Sequence, residues 1–122
     1  MSKPVFDREA FAKRCVYDDE LQEEIILGSF PDIERHLARV EAAFEKGNAE
    51  ELERSAHALK GTSGTLSALR LQEKAQAIEL AAKSSTLDSS TEANVRELRN
   101  DRQELRARLE ELGYSLPAAS DE

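Results

Sequence analysis

Hydrophobic positions recur along almost the whole chain at steps of three and four, the period of amphipathic helices. Asp7 can cap a short opening helix that presents Phe6, Ala10 and Phe11 to a neighbour. A second segment starts near Asp18 with Leu21, Ile25 and Gly28 along one side, and Pro31 then either kinks it or opens a new helix at its first turn. Phe30, Ile33, Leu37, Val40 and Phe44 form a core-facing stripe that runs to a stop at Gly47. Asn48 follows as an N-cap with Glu51 as its capping partner. It launches a helix with Leu52, Ala56, Leu59, Ser63 and Leu66 on one face.

After a phase break around Ser67 and Ala68, Leu71, Ala75, Ile78 and Ala82 mark another amphipathic helix, which ends in the linker-like run KSSTLDSST. The last helix shows Val95, Leu98, Leu105, Leu109 and Leu112, with Arg102 in a slot where a hydrophobe belongs, and stops at Gly113. The tail SLPAASDE is expected to fray. Short connections favour antiparallel neighbours, so the pattern predicts an all-α, up-and-down four-helix bundle with one or two short extra helical segments at the N-terminus.

Composition sharpens this. The chain has 122 residues, enough for a single domain spanning 1–122 with its core over about 6–112, and it is poor in aromatic residues and without Trp. A net charge of −8 argues against nucleic acid or an anionic membrane as a partner. Cys15 is the one cysteine, which excludes an intramolecular disulfide and fits a reducing cytoplasm. The N-terminus MSKPVFDREAF lacks an apolar signal core, and the longest aliphatic run is IIL, so neither secretion nor membrane insertion is expected. The initial Met favours a free-standing protein over a fragment of a larger one.

The stretch ERSAHALKGTSGTL carries the chemistry. At roughly 100° per residue, His57 lies more than a quarter turn from the apolar face, so it should look outward. Lys60, Gly61 and Gly64 fall on the same strip, with Glu53 and Arg54 one turn earlier. Each glycine costs about 1 kcal/mol relative to alanine inside a helix. Two readings stand. Either KGTSG ends the helix, with Gly61 as a C-cap, or the helix continues through Leu66 and the glycines clear an approach to the imidazole. An exposed neutral imidazole is a good nucleophile toward phosphorus, and Lys60 can offset charge on phosphoryl oxygens. No acidic cluster for Mg²⁺ and no nucleotide loop accompany them.

HALKGTSGTL, with GNAEELERSA before it and ALRLQEKAQAIE after it, resembles the histidine-containing phosphotransfer (HPt) domain of bacterial phosphorelays. Upstream, FDREAFAKRC and LGSFPDIERHLARVEAAFEKGN resemble that family's opening helices and its Gly-Asn turn. The resemblance implies that His57 accepts the phosphoryl group, Lys60 steadies it, and Gly61 gives a receiver domain access. It places Glu53, Arg54, Gly61 and Gly64 at the docking surface, with Glu79 at a position where the family often has Glu or Gln. It also implies a response-regulator receiver and a hybrid sensor histidine kinase as partners, Mg²⁺ only in the receiver, no cofactor or metal of its own, and a cytoplasmic monomer without kinase activity. Many members carry a second glycine ten residues after the histidine, where this chain has the small residue Ser67.

Two other readings compete. One is a helical docking module that binds a receiver or kinase without accepting phosphate. The other is a small metal protein or enzyme using His57 and His36, which no ligand spacing supports; His36 reads as a solvated surface residue. The charges of RELRNDRQELRARLEE read as an exposed helix face with Glu/Arg pairs.

Overall fold

The computed structural model describes residues 3–117, and within them the chain is helical with no strand. Five helices follow one another: α1 (Arg8–Arg14), α2 (Asp19–Lys46), α3 (Ala49–Thr65), α4 (Leu69–Lys83) and α5 (Ser89–Glu111). The last four form an antiparallel ring in which α2 packs on α3, α3 on α4, α4 on α5 and α5 back on α2. The all-α bundle is therefore as the periodicity predicts, with one extra N-terminal helix.

Local chemistry sets the boundaries. Asp7, Asp18, Asn48 and Asp88 each accept a backbone N–H of the turn that follows, at 3.0–3.1 Å. Gly47, at φ 68°, ends α2 in the left-handed conformation that glycine adopts without a Cβ penalty. The core is a single cluster running through all four long helices and α1, and Ile26, Phe30, Leu52, Leu59, Leu71, Ile78, Leu98 and Leu105 are fully buried in it. Each such side chain contributes about 1.5–3 kcal/mol relative to an exposed one.

The start of α2 departs from expectation. Its buried stripe is Gln22, Ile26, Phe30 and Ile33, one residue out of step with Leu21, Ile25 and Gly28, and Leu21 stays exposed. Counting back from Phe30 by fours gives Ile26 and Gln22, so the deep part of the core dictates the phase. Pro31 lies inside α2, and no new helix opens there. Burial of Phe30, Ile33 and Leu37 on both sides offsets the hydrogen bond that proline cannot donate.

In α5 the inward slot between Leu98 and Leu105 belongs to Asp101, not Arg102. Asp101 is buried against Lys74 of α4, with Arg70 at 3.8 Å, while Arg102 pairs with Glu34 of α2 at 2.6 Å. The linker shrinks to residues 84–88, because Thr91 is already buried and bonded to the Thr86 carbonyl. The start of the tail is held rather than frayed: Tyr114 and Leu116 pack on the core, and Arg106 donates to the carbonyls of Leu116 and Pro117. Residues 118–122 lie outside the described residues.

Candidate functional site

α3 runs unbroken from Ala49 to Thr65, so it passes through Gly61 and Gly64 instead of ending at the first of them. Ser63, fully buried, and Leu66, buried at the C-cap, continue the inward face beyond the glycines. The burial of Leu66, about 1.5–3 kcal/mol, offsets the local cost of two glycines. A continuous α3 leaves His57 on the outer side of the bundle with its side chain 68% exposed.

What lies beneath the imidazole is a buried acid from the next helix. Glu79 of α4 is 5% exposed, and its Oε2 sits 2.8 Å from His57 Nδ1 while its Oε1 sits 2.7 Å from Lys60 Nζ. Lys83, one turn further along α4, approaches Oε2 at 3.7 Å. Burial alone would raise the pKa of Glu79, but hydrogen bonds from Lys60 and His57 prevail and hold it below the usual carboxylate range. An ionised carboxylate only accepts hydrogen bonds, so Nδ1 must carry the hydrogen and the neutral ring has its lone pair on Nε2. The arrangement presents a fixed tautomer to solvent, with a lysine 31% exposed one helical turn away.

The other residues singled out from the sequence separate into groups. Glu53 and Arg54 line an open cleft with Glu50, His57, Glu79 and Lys83, about 440 Å³ in volume. Arg54 is engaged by Glu50 and Glu51 at 3.5 and 3.4 Å. Gly61 faces open space, where an added Cβ would meet nothing within 4 Å. Gly64 does not share that openness: a Cβ there would stand 2.8 Å from Gln72 Nε2. The strip shared with His57 runs along the α3–α4 seam, and the first turn of α4 closes it at Gly64.

Ser67 is buried in the α3–α4 turn with φ 54°, a left-handed conformation that favours glycine. Arg14 of α1 offsets the difference. Its guanidinium donates to the carbonyls of Gly64 and Thr65, at 2.6 and 3.0 Å, and to the Ser67 hydroxyl. The Ser67 carbonyl also accepts the Asp7 N–H at 2.9 Å. The N-terminal segment thus clamps the turn that sets α3 against α4.

His36 is half-buried rather than solvated. Its Nδ1 is shut off without a partner, and desolvation followed by the nearby Arg35 lowers its pKa. Sequence reasoning missed Arg14, Lys83 and the Asp101–Lys74 pair. Asp101 had a local signal, since it stands three residues after Leu98 and four before Leu105, and so did Lys83, four residues after Glu79 on one helix. Among the described residues, no three His, Cys, Asp or Glu side chains form a cluster able to hold a metal ion, and no helix is long and apolar enough to cross a membrane.

Residues 28–115 match the Hpt domain family. The fold is similar to that of histidine-containing phosphotransfer protein B (HptB) from Pseudomonas aeruginosa PAO1, with a TM-score of 0.77 and 26% sequence identity over 91% of this chain and 96% of that one. No curated protein sequence matches the chain.

Proposed function

Because the chain belongs to the Hpt domain family, we propose that it is a phosphorelay carrier that takes a phosphoryl group onto His57 from a receiver phospho-aspartate and yields it to another receiver. The observation that carries this reading is the exposed imidazole whose Nδ1–H is tied to the buried Glu79 carboxylate. Attack by Nε2 forms the N–P bond as the aspartyl O–P bond breaks, and the aspartate leaves as a carboxylate. The Nδ1 proton stays where it is, between ring and Glu79, so no base has to remove it.

Glu79 stabilises the positive charge that the ring gains on phosphorylation. Lys60 keeps Glu79 ionised and offsets the phosphoryl charge from one turn away. Gly61 leaves the approach open for the receiver, and Glu53 and Arg54 border it. The receiver brings the aspartate and Mg²⁺, so the carrier needs no cofactor and has no kinase activity of its own. A hybrid sensor kinase is the upstream source, and the carrier acts as a cytoplasmic monomer.

The test is phosphate uptake from a phosphorylated receiver, read by intact mass. The parent protein gains one acid-labile phosphoryl group, while His57→Gln gains none and keeps its helical circular dichroism. Binding without uptake in the parent would assign a docking role instead.

A further inference from the structure

We infer that Lys83 is a second phosphoryl-contacting cation, one that leaves Glu79 for the phosphoryl oxygens when His57 is phosphorylated. The inference rests on the carrier reading above and adds a residue to it. Lys60 is held tightly, 2.7 Å from Glu79 Oε1, whereas Lys83 stands 3.7 Å from Oε2, the oxygen that accepts from His57 Nδ1. Lys83 is therefore beside the imidazole, loosely held and 53% exposed. It can depart without leaving the buried carboxylate unpaired.

Charge gives it a reason to move. A phosphoryl dianion on an imidazolium adds one net negative charge to a site where Glu79 and Lys60 already cancel. Around the cleft, Glu50 and Glu53 add further negative charge, and Arg54 is engaged by Glu50 and Glu51. Lys83, lining the same cleft, is the cation placed to restore the balance. Its flexible stem suits a point charge that must swing between two acceptors.

The experiment uses the full chain and phosphoramidate as donor. His57 Nε2 forms the new N–P bond while the donor's P–N bond breaks and ammonia leaves. Phosphorus NMR then follows the titration of the phosphoryl group on His57. A nearby cation favours the dianion, so Lys83→Ala should raise the phosphoryl pKa by about half a pH unit, the scale of an exposed ion pair, and Lys83→Arg should restore it. Titration of Lys83→Ala at the parent value overturns the inference, and so does a shift that Lys83→Arg leaves uncorrected. If the parent takes up no phosphate on His57, the carrier reading itself fails; uptake by the parent with an unmoved Lys83→Ala removes only the role of Lys83.

Discussion

Truncating Glu79 to alanine probes the site where its structural and chemical duties meet. The substitution removes a buried carboxylate that holds His57 at 2.8 Å and Lys60 at 2.7 Å. Charge-assisted hydrogen bonds contribute about 1.5–3 kcal/mol each when sheltered. Exposure of both partners reduces this to about 2 kcal/mol for the pair, and the space left beneath the imidazole brings the loss to about 2–3 kcal/mol. For a chain of this size that lowers Tm by about 8–12 °C. Glu79→Gln keeps the volume but offers one accepting oxygen to two donors, His57 Nδ1–H and Lys60, so it loses the charge and one accepted bond, about 1–2 kcal/mol.

The pH dependence separates charge from packing. The pKa of Glu79 is depressed in the folded state, so the stability it adds is complete above the unfolded value of about 4.3 and disappears as pH falls through the lower folded value. Melting curves of parent and Glu79→Gln should therefore differ at neutral pH and converge in acid. Phosphate uptake should slow by about tenfold in Glu79→Ala, equivalent to roughly 1.4 kcal/mol of lost imidazolium stabilisation. Parent-like melting and uptake in both variants would refute the account of Glu79.

Three further outcomes follow from the geometry. Gly61→Leu should leave Tm unchanged or raise it, since leucine is the better helix former and meets open space, while receiver affinity by titration falls about tenfold or more; unchanged affinity would remove Gly61 from the interface. Asp101→Ala leaves Lys74 with Glu97, at 3.0 Å, as its remaining carboxylate and should cost about 2 kcal/mol in urea unfolding, most of it recovered in Asp101→Leu/Lys74→Met. Burial opposes the charge on Lys74, but Asp101 and Glu97 prevail and raise its pKa, so this stability is complete below the unfolded value of about 10.4 and fades only as pH climbs through the higher folded value. Ser67→Gly should be near neutral in the parent, because relief of the left-handed backbone, about 1 kcal/mol, offsets the lost Arg14 bond; in Arg14→Ala it should stabilise, and a double-mutant cycle showing no coupling would contradict the clamp.

The bundle is legible because its long helices carry three-and-four periodicity, and three of them, α2, α3 and α5, have capping residues at their starts. Within α2 the local pattern points to Leu21 where the structure buries Gln22, because only packing on the deeper core decides between the two phases. Local sequence leaves the fate of α3 at Gly61 open, since the glycine penalty and the burial of Leu66 are of similar size and the second depends on neighbouring helices. His57 was visible as an outward residue on a predicted face. Glu79 entered only through family resemblance, because its contact with His57 spans 22 residues and two helices. Arg14 and Lys74 act through long side chains across helix seams, and periodicity says nothing about where such a side chain ends; Lys83 pairs with Glu79 within α4, and only the approach of His57 from α3 gives that pair its setting.

The most direct measurement starts from protein phosphorylated on His57 and mixes it with an unphosphorylated receiver and Mg²⁺, following both masses over time. A carrier loses its phosphoryl group as the receiver gains one on aspartate, and Gly61→Leu, loaded equally, transfers more slowly. Phosphate that remains on His57, or leaves only as inorganic phosphate while the receiver stays unmodified, would contradict the account.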